Sequence, residues 1–322
     1  MKNLLGYKIF ESKDPRITPE QIKFLNRHVY GEWDINEATG LIDVVNGYVE
    51  LNGKKMSDFM GIEFGRIDQH FSIEGNLFEN LKGAPREVGG SFYCESNLLT
   101  SLEGAPEKVG GGFYCDNNKL KSLKGAPVEV GGNFFCGDNE LTSLEGAPEK
   151  VGDSFYCHEN QLTSLEGAPE KVGDSFYCND NQLTSLEGAP VIVGSTFNCT
   201  GNPLETLNGL PQKIGAIFKF GSASISGNKL NTEEILDVID RFNPIQANVP
   251  IKKLIVDLLF NPDLINSKIE KDPDGMIQIL RKIWDDPYFA DIKKSIKFPK
   301  EYGDVDKFIS SMNRLDRIKY EI

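Results

Sequence analysis

Residues 141–182 read LTSLEGAPEKVGDSFYCHENQ followed directly by LTSLEGAPEKVGDSFYCNDNQ. These are two 21-residue copies that differ only where His158 and Glu159 are replaced by Asn179 and Asp180. The same step runs outward in both directions. Cys94, Cys115, Cys136, Cys157, Cys178 and Cys199 keep it, as do Asn97, Asn118, Asn139, Asn160, Asn181 and Asn202. A Leu-x-Gly-Ala-Pro segment recurs from Leu81, Leu102, Leu123, Leu144, Leu165 and Leu186, with LNGLP from Leu207 as a degraded copy. So short and strict a period is the signature of a solenoid, in which each unit buries its apolar face only by stacking on its neighbours.

The unit fits the frame L-x-x-L-x-L-x-x-N-x-L as G-x-x-F-x-C-x-x-N-x-L. Phe92, Phe113, Phe134, Phe155, Phe176 and Phe197 fill the second Leu slot, and Cys fills the third. Leu99, Leu120, Leu141, Leu162, Leu183 and Leu204 fill the last. Upstream, Phe71, Ile73, Asn76 and Phe78 hold the same slots; before them come Val49, Leu51, Lys54 and Met56. Downstream, Phe218 and Phe220 continue the pattern. Nine strand slots from Val49 to Phe218 at roughly 4.8 Å per parallel strand predict an array about 38 Å long. The expectation is an α/β repeat fold: a leucine-rich-repeat solenoid with a parallel β strip of one strand per coil and short, non-helical returns.

Each slot has a physical role. Alternation along a strand turns Phe and Cys into the core and the residue between them outward, onto the concave face. Gly-Ala-Pro makes the far turn, Gly permitting an unusual φ and Pro barring a helix. The Asn column is expected to satisfy loop backbone between coils. One Cys per coil is poor spacing for a metal site, and parallel side chains are poor geometry for disulfides, so Cys is read as a small buried filler. No disulfide, metal or cofactor is expected.

The full chain has 322 residues with 35 basic and 48 acidic, a net charge of −13. That field repels phosphates, which argues against direct binding of nucleic acid or of an anionic membrane. No stretch is apolar enough for a membrane span, and Lys8 cuts the N-terminal apolar run too short for a secretory signal, so a cytoplasmic protein is expected. From Gly83 to Leu204 there are seven basic and 17 acidic residues, so the repeats carry most of the charge. His28, His70 and His158 pair with no acid or nucleophile at a recognisable spacing, and no phosphate-binding, nucleophile-elbow or zinc-protease motif occurs.

Core slots report the fold, so any partner must be read at the outward positions. These hold Tyr93, Tyr114, Phe135, Tyr156 and Tyr177 in consecutive coils, then Asn198. Acids border them: Asp153 and Asp174 before the strand, and Glu95, Asp116, Asp138, Glu159 and Asp180 after it, with His158 on the same rim. Cross-strand pairing alone accounts for aromatics in a sheet at about 0.2–1 kcal/mol per pair. An exposed aromatic row edged with acids also has the make-up of a protein-binding strip.

The ends differ from the repeats. Thr18-Pro19-Glu20-Gln21 reads as an N-cap, Pro at the first helical position and Gln closing a capping box, with Ile22, Leu25 and Val29 near one face. After Leu230 the spacing becomes helical, with stripes through Ile235, Leu254, Ile279 and Phe308. The domain reading is an N-terminal cap with one helix over 1–37, the solenoid of about nine coils over 38–230, and an α-helical domain over 231–322.

The unit LTSLEGAPEKVGDSFYC resembles the short bacterial leucine-rich repeats of YopM/IpaH-like effectors. It is more similar still to bacteriophage and bacterial repeat proteins built from VGGxFxCxxNxLTSLEGAP units. The lead-in ATGLIDVVNGYVELNGKKMSDFMGI is similar to that group's as well. The resemblance spans roughly Ala38 to Leu230 and implies a protein-binding solenoid, with a phage or bacterial factor engaging a host protein, or a virion component, as the setting. One effector subgroup carries a C-terminal ubiquitin ligase with a catalytic Cys; here no Cys follows Cys199, which excludes that chemistry. The leading expectation is a non-enzymatic interaction module, with the helical domain as a second contact or a homo-oligomer interface. An acidic mimic of nucleic acid is the alternative. An enzyme resting on Asp285, Asp286, Tyr288, Lys293 and Lys294 matches no motif.

Overall fold

The computed structural model describes residues 16–219. The helical domain expected over 231–322, Phe220, the enzyme candidates from Asp285 to Lys294 and the first 15 residues lie outside them.

Helix α1 (Pro19–His28) opens the described chain. Its capping box closes as the sequence predicts: the Gln21 N–H donates to the Thr18 hydroxyl, and the Thr18 N–H donates back to the Gln21 side chain. Leu25 and Phe24 are buried against the first coil. The chain then forms an unforeseen antiparallel hairpin of β1 (Val29–Ile35) and β2 (Ile42–Glu50), pairing Val29 with Val49 and Ile35 with Ile42. The hairpin covers the open end of the solenoid, whose first coil would otherwise expose its core.

From β2 onward the chain is a staircase of short parallel strands. β2 is long enough to start two columns. Its first part pairs with β3 (Phe64–Ile67) and its second with β4 (Phe71–Ser72). Seven pairs follow as β5 to β18, from Glu87–Val88 with Phe92–Tyr93 to Lys213–Ile214 with Ile217–Lys219. One column aligns Ile67, Val88, Val109, Val130, Val151, Val172, Val193 and Ile214. The other aligns Val49, Phe71, Phe92 and so on to Phe218: nine strands, hence eight coil-to-coil steps.

Two strands per coil correct the expectation of one. The corner between them is made at the Gly after each Val. A Cβ on Gly110 would lie 2.1 Å from the Gly89 carbonyl oxygen, and one on Gly131 equally close to that of Gly110. The coils approach too closely there for any side chain, so the backbone bends and the pairing breaks in two. The far turn is a second glycine column. Gly104, Gly125, Gly146 and Gly167 sit at φ near +90°, and Ala105, Ala126, Ala147 and Ala168 each donate to the Leu carbonyl three residues back, the geometry of a type II turn.

Inside, Phe71 to Phe197 form a near-parallel ring stack with centroids 5.2–5.7 Å apart, and the Cys column is fully buried beside it. Burial pushes each thiol well above its ordinary pKa. The Sγ of Cys94, Cys115 and Cys136 donates to a carbonyl of the next coil at 3.1–3.2 Å. The Asn column does what its slot predicts. The Asn139 amide donates to the carbonyls of Cys136, Gly137 and, one coil back, Cys115, and its oxygen accepts from the Leu120 N–H.

Candidate functional site

The outward residues of the Phe column come together as expected, but they are half-buried rather than exposed. The cause is that they stack on one another. Tyr93, Tyr114, Phe135, Tyr156 and Tyr177 have successive ring centroids 4.7, 4.9, 4.0 and 4.7 Å apart, with planes within 15°. In-register parallel strands hold equivalent side chains one strand spacing apart, close to the thickness at which flat rings meet.

The ladder also reaches further than the repeat shows. Tyr30 of β1 stacks on Tyr48 of β2 at 4.7 Å, Tyr48 on His70 at 4.2 Å, and His70 meets Tyr93 edge-on at 6.3 Å. Eight rings are thus continuous from the cap to Tyr177. Tyr30, Tyr48 and His70 were missed because they lie off the 21-residue register: the residues aligned with Tyr93 are Ser72 and Glu50. Burial pushes the His70 pKa down, against Glu50, which raises it.

A polar column underlies the rings. Ser91, Asn133, Ser154 and Ser175 each accept from the N–H of the equivalent residue one coil on, at 3.0–3.2 Å. Gly112 interrupts it. A Cβ there would lie 2.7 Å from the Tyr114 ring, so this glycine lets Tyr114 lean along its strand. Asp153 and Asp174 are exposed ahead of the strand, and Asp174 accepts from the Ser154 hydroxyl.

On the other border, Asp116 is half-buried, while Asp138, Glu159 and Asp180 are exposed at left-handed or neighbouring positions of the Asn loop. Asp138, Glu159 and Asp180 take φ of +51°, +51° and +55°. His158 lies over Gly137, where a Cβ would come within 2.6 Å of the imidazole. Its Nε2 is 3.9 Å from Asp138. Among the described residues, donor atoms of Asp138, His158 and Glu159 lie within 4.8 Å of one another, the one grouping with metal-ligand proximity. The hydrogen bond and charge of Asp138 raise the Glu159 pKa.

Among the described residues, Glu95 is the most perturbed carboxyl. One of its oxygens is buried without a hydrogen-bond partner, and burial, with Asp116 and Glu74 beside it, pushes its pKa from the ordinary 4.5 to about 7. The folded value lies above the unfolded one. The cost of the ionised carboxylate is therefore present above pH 7 and is relieved as pH falls from 7 towards 4.5. Glu95→Gln should raise the melting temperature at pH 8, and the gain should vanish by pH 4.5; thermal melts across that range check it.

The described coils form a parallel β-solenoid of 21-residue units whose Phe, Cys, Asn and Leu slots follow the leucine-rich-repeat frame. No protein-family model matches the chain, and no curated protein matches it. One similar solved structure is described as the novel molecular architecture of YopM, a leucine-rich effector protein from Yersinia pestis. The two are 19% identical over 57% of this chain and 54% of that one, with a TM-score of 0.39. The chain thus spans about half the length of that effector.

Proposed function

We propose that this solenoid is a non-enzymatic interaction module whose aromatic ladder and acidic border hold a partner protein. The resemblance of its repeats to bacteriophage and bacterial proteins suggests the setting, a factor that engages a host protein in the cytoplasm. The observation that carries the reading is the continuous eight-ring ladder from Tyr30 to Tyr177. A continuous aromatic strip on an outer face is costly to leave to water, and aromatics at the centre of an interface carry much of its binding energy.

The test begins with a partner recovered from the native host by affinity capture and then prepared pure. Tyr114→Ala with Tyr156→Ala should weaken its binding at least about tenfold in titration calorimetry while the repeats stay folded. Normal binding by the double variant would overturn the reading. So would a loss of stability as large as that from truncating a core Phe, because the column would then only hold the sheet together.

A further inference from the structure

The acids bordering the ladder form one line rather than scattered patches. Glu74, Glu95 and Asp116 follow the core position in three consecutive coils. Gly137 then stands in that column, and the charge moves one residue along to Asp138, Glu159 and Asp180. The backbone ladder continues through this loop: Gly75, Ser96, Asp138 and Glu159 donate to the carbonyls of Glu95, Asp116, His158 and Asn179 at 3.1–3.2 Å. Each of six successive coils therefore places one acidic side chain on this line, Glu95 and Asp116 half-buried and the other four exposed. At about 4.8 Å per coil the line is about 24 Å long. The lysine and arginine ion pairs lie elsewhere among the described residues, at Arg66–Asp68, Lys121–Glu140, Lys124–Glu145 and Lys150–Glu129.

The rings beside this line have limited chemistry to offer. From Tyr93 to Tyr177 the inner ring faces are turned to one another, so a nucleobase or sugar could stack only at the ends of the row and not along it. What faces outward is ring edge and phenol oxygen. Ring edges carry the positive end of the quadrupole, so attraction for a cation must come from the carboxylates. The edges instead suit the aliphatic stems of lysine and arginine, whose charged heads would reach the acids.

Resting on the partner-binding reading, we infer that the ligand of this face is an extended, arginine- or lysine-rich protein segment lying along the line from Glu74 to Asp180, stems across the ring edges and cationic heads on the carboxylates. About seven or eight extended residues cover its length.

The probe is a labelled dodecapeptide of alternating Arg and Gly, with Ser–Gly and Glu–Gly counterparts, titrated by fluorescence anisotropy into the full chain at pH 8, above the Glu95 pKa of about 7. The Arg–Gly peptide should bind saturably and the others should not, and affinity should fall at least about tenfold between low and physiological salt. Glu95→Gln, Asp116→Asn and Asp138→Asn together should weaken it at least about tenfold, with Glu74→Gln and Asp180→Asn as the exposed-end variant if the triple one fails to fold. Glu103→Gln, Glu166→Gln and Glu187→Gln remove the same charge from the far turns and should change affinity less than about twofold. Equal losses in the two triple variants would reduce the effect to overall acidity and overturn the inference, as would no saturable binding or equal binding of the Ser–Gly peptide. The tyrosine double variant against the natural partner is a separate readout. Its failure sinks the interaction reading itself, whatever the peptide does.

Discussion

Phe155→Ala should destabilise the solenoid by about 3–5 kcal/mol, enough to unfold its central coils under mild denaturant. The ring sits between Phe134 and Phe176 at 5.2 and 5.3 Å, fully buried, and its removal opens a hole that two sets of neighbours share. A repeat array is held by coupling between adjacent units, so a defect in the middle weakens both interfaces at once and can uncouple the two halves. Urea titration followed by circular dichroism should show an earlier transition and loss of a single cooperative step. Tyr156→Ala, one residue on, removes two stacking contacts from a half-buried edge and should cost well under half as much. Equal losses at the two positions would mean that the inside and outside of this strand have been exchanged.

Gly173→Ala should also destabilise the array, by less than the loss of a core Phe, although it adds only a methyl group. Its backbone is outside the left-handed region, and at such sites Gly→Ala ordinarily stabilises by about 0.4–1 kcal/mol through the unfolded chain. Here the new Cβ would fall 1.7 Å from the Gly152 carbonyl oxygen and 2.7 Å from its carbon. Backbone cannot swing away as a flexible side chain can, so the coils must part along the whole corner. Overpacking of this kind costs about 1–3 kcal/mol. The sign of the change in urea midpoint decides the matter, since a rise would show that the corner is looser than the coil spacing implies.

Much of the fold was legible because a 21-residue repeat copies one core pattern many times. Phe, Cys, Leu and Asn each recur at fixed spacing, and each lies where alternation and hydrogen-bond bookkeeping put it. The split of each coil into two strands was not legible. The frame places a single strand at Phe-Tyr-Cys, and the close approach of the neighbouring coil's backbone at Gly152 and Gly173, which marks the corner, shows only in the stacked structure. The ladder members Tyr30, Tyr48 and His70 were hidden for a different reason. They lie off the repeat register and join the rings only because the hairpin docks on the first coil.

The sequence by itself thus determined the repeat, the residue types of the core and the composition of the outer face, because those follow from local alternation and from a period short enough to exclude return helices. Tertiary structure decided how that face is presented. Parallel register brings aromatic rings within 4.0–4.9 Å, so they cover one another's faces and leave edges outward. The same register aligns carboxylates that are 21 or 22 residues apart in the chain into one line, a proximity that exists only once the coils are stacked.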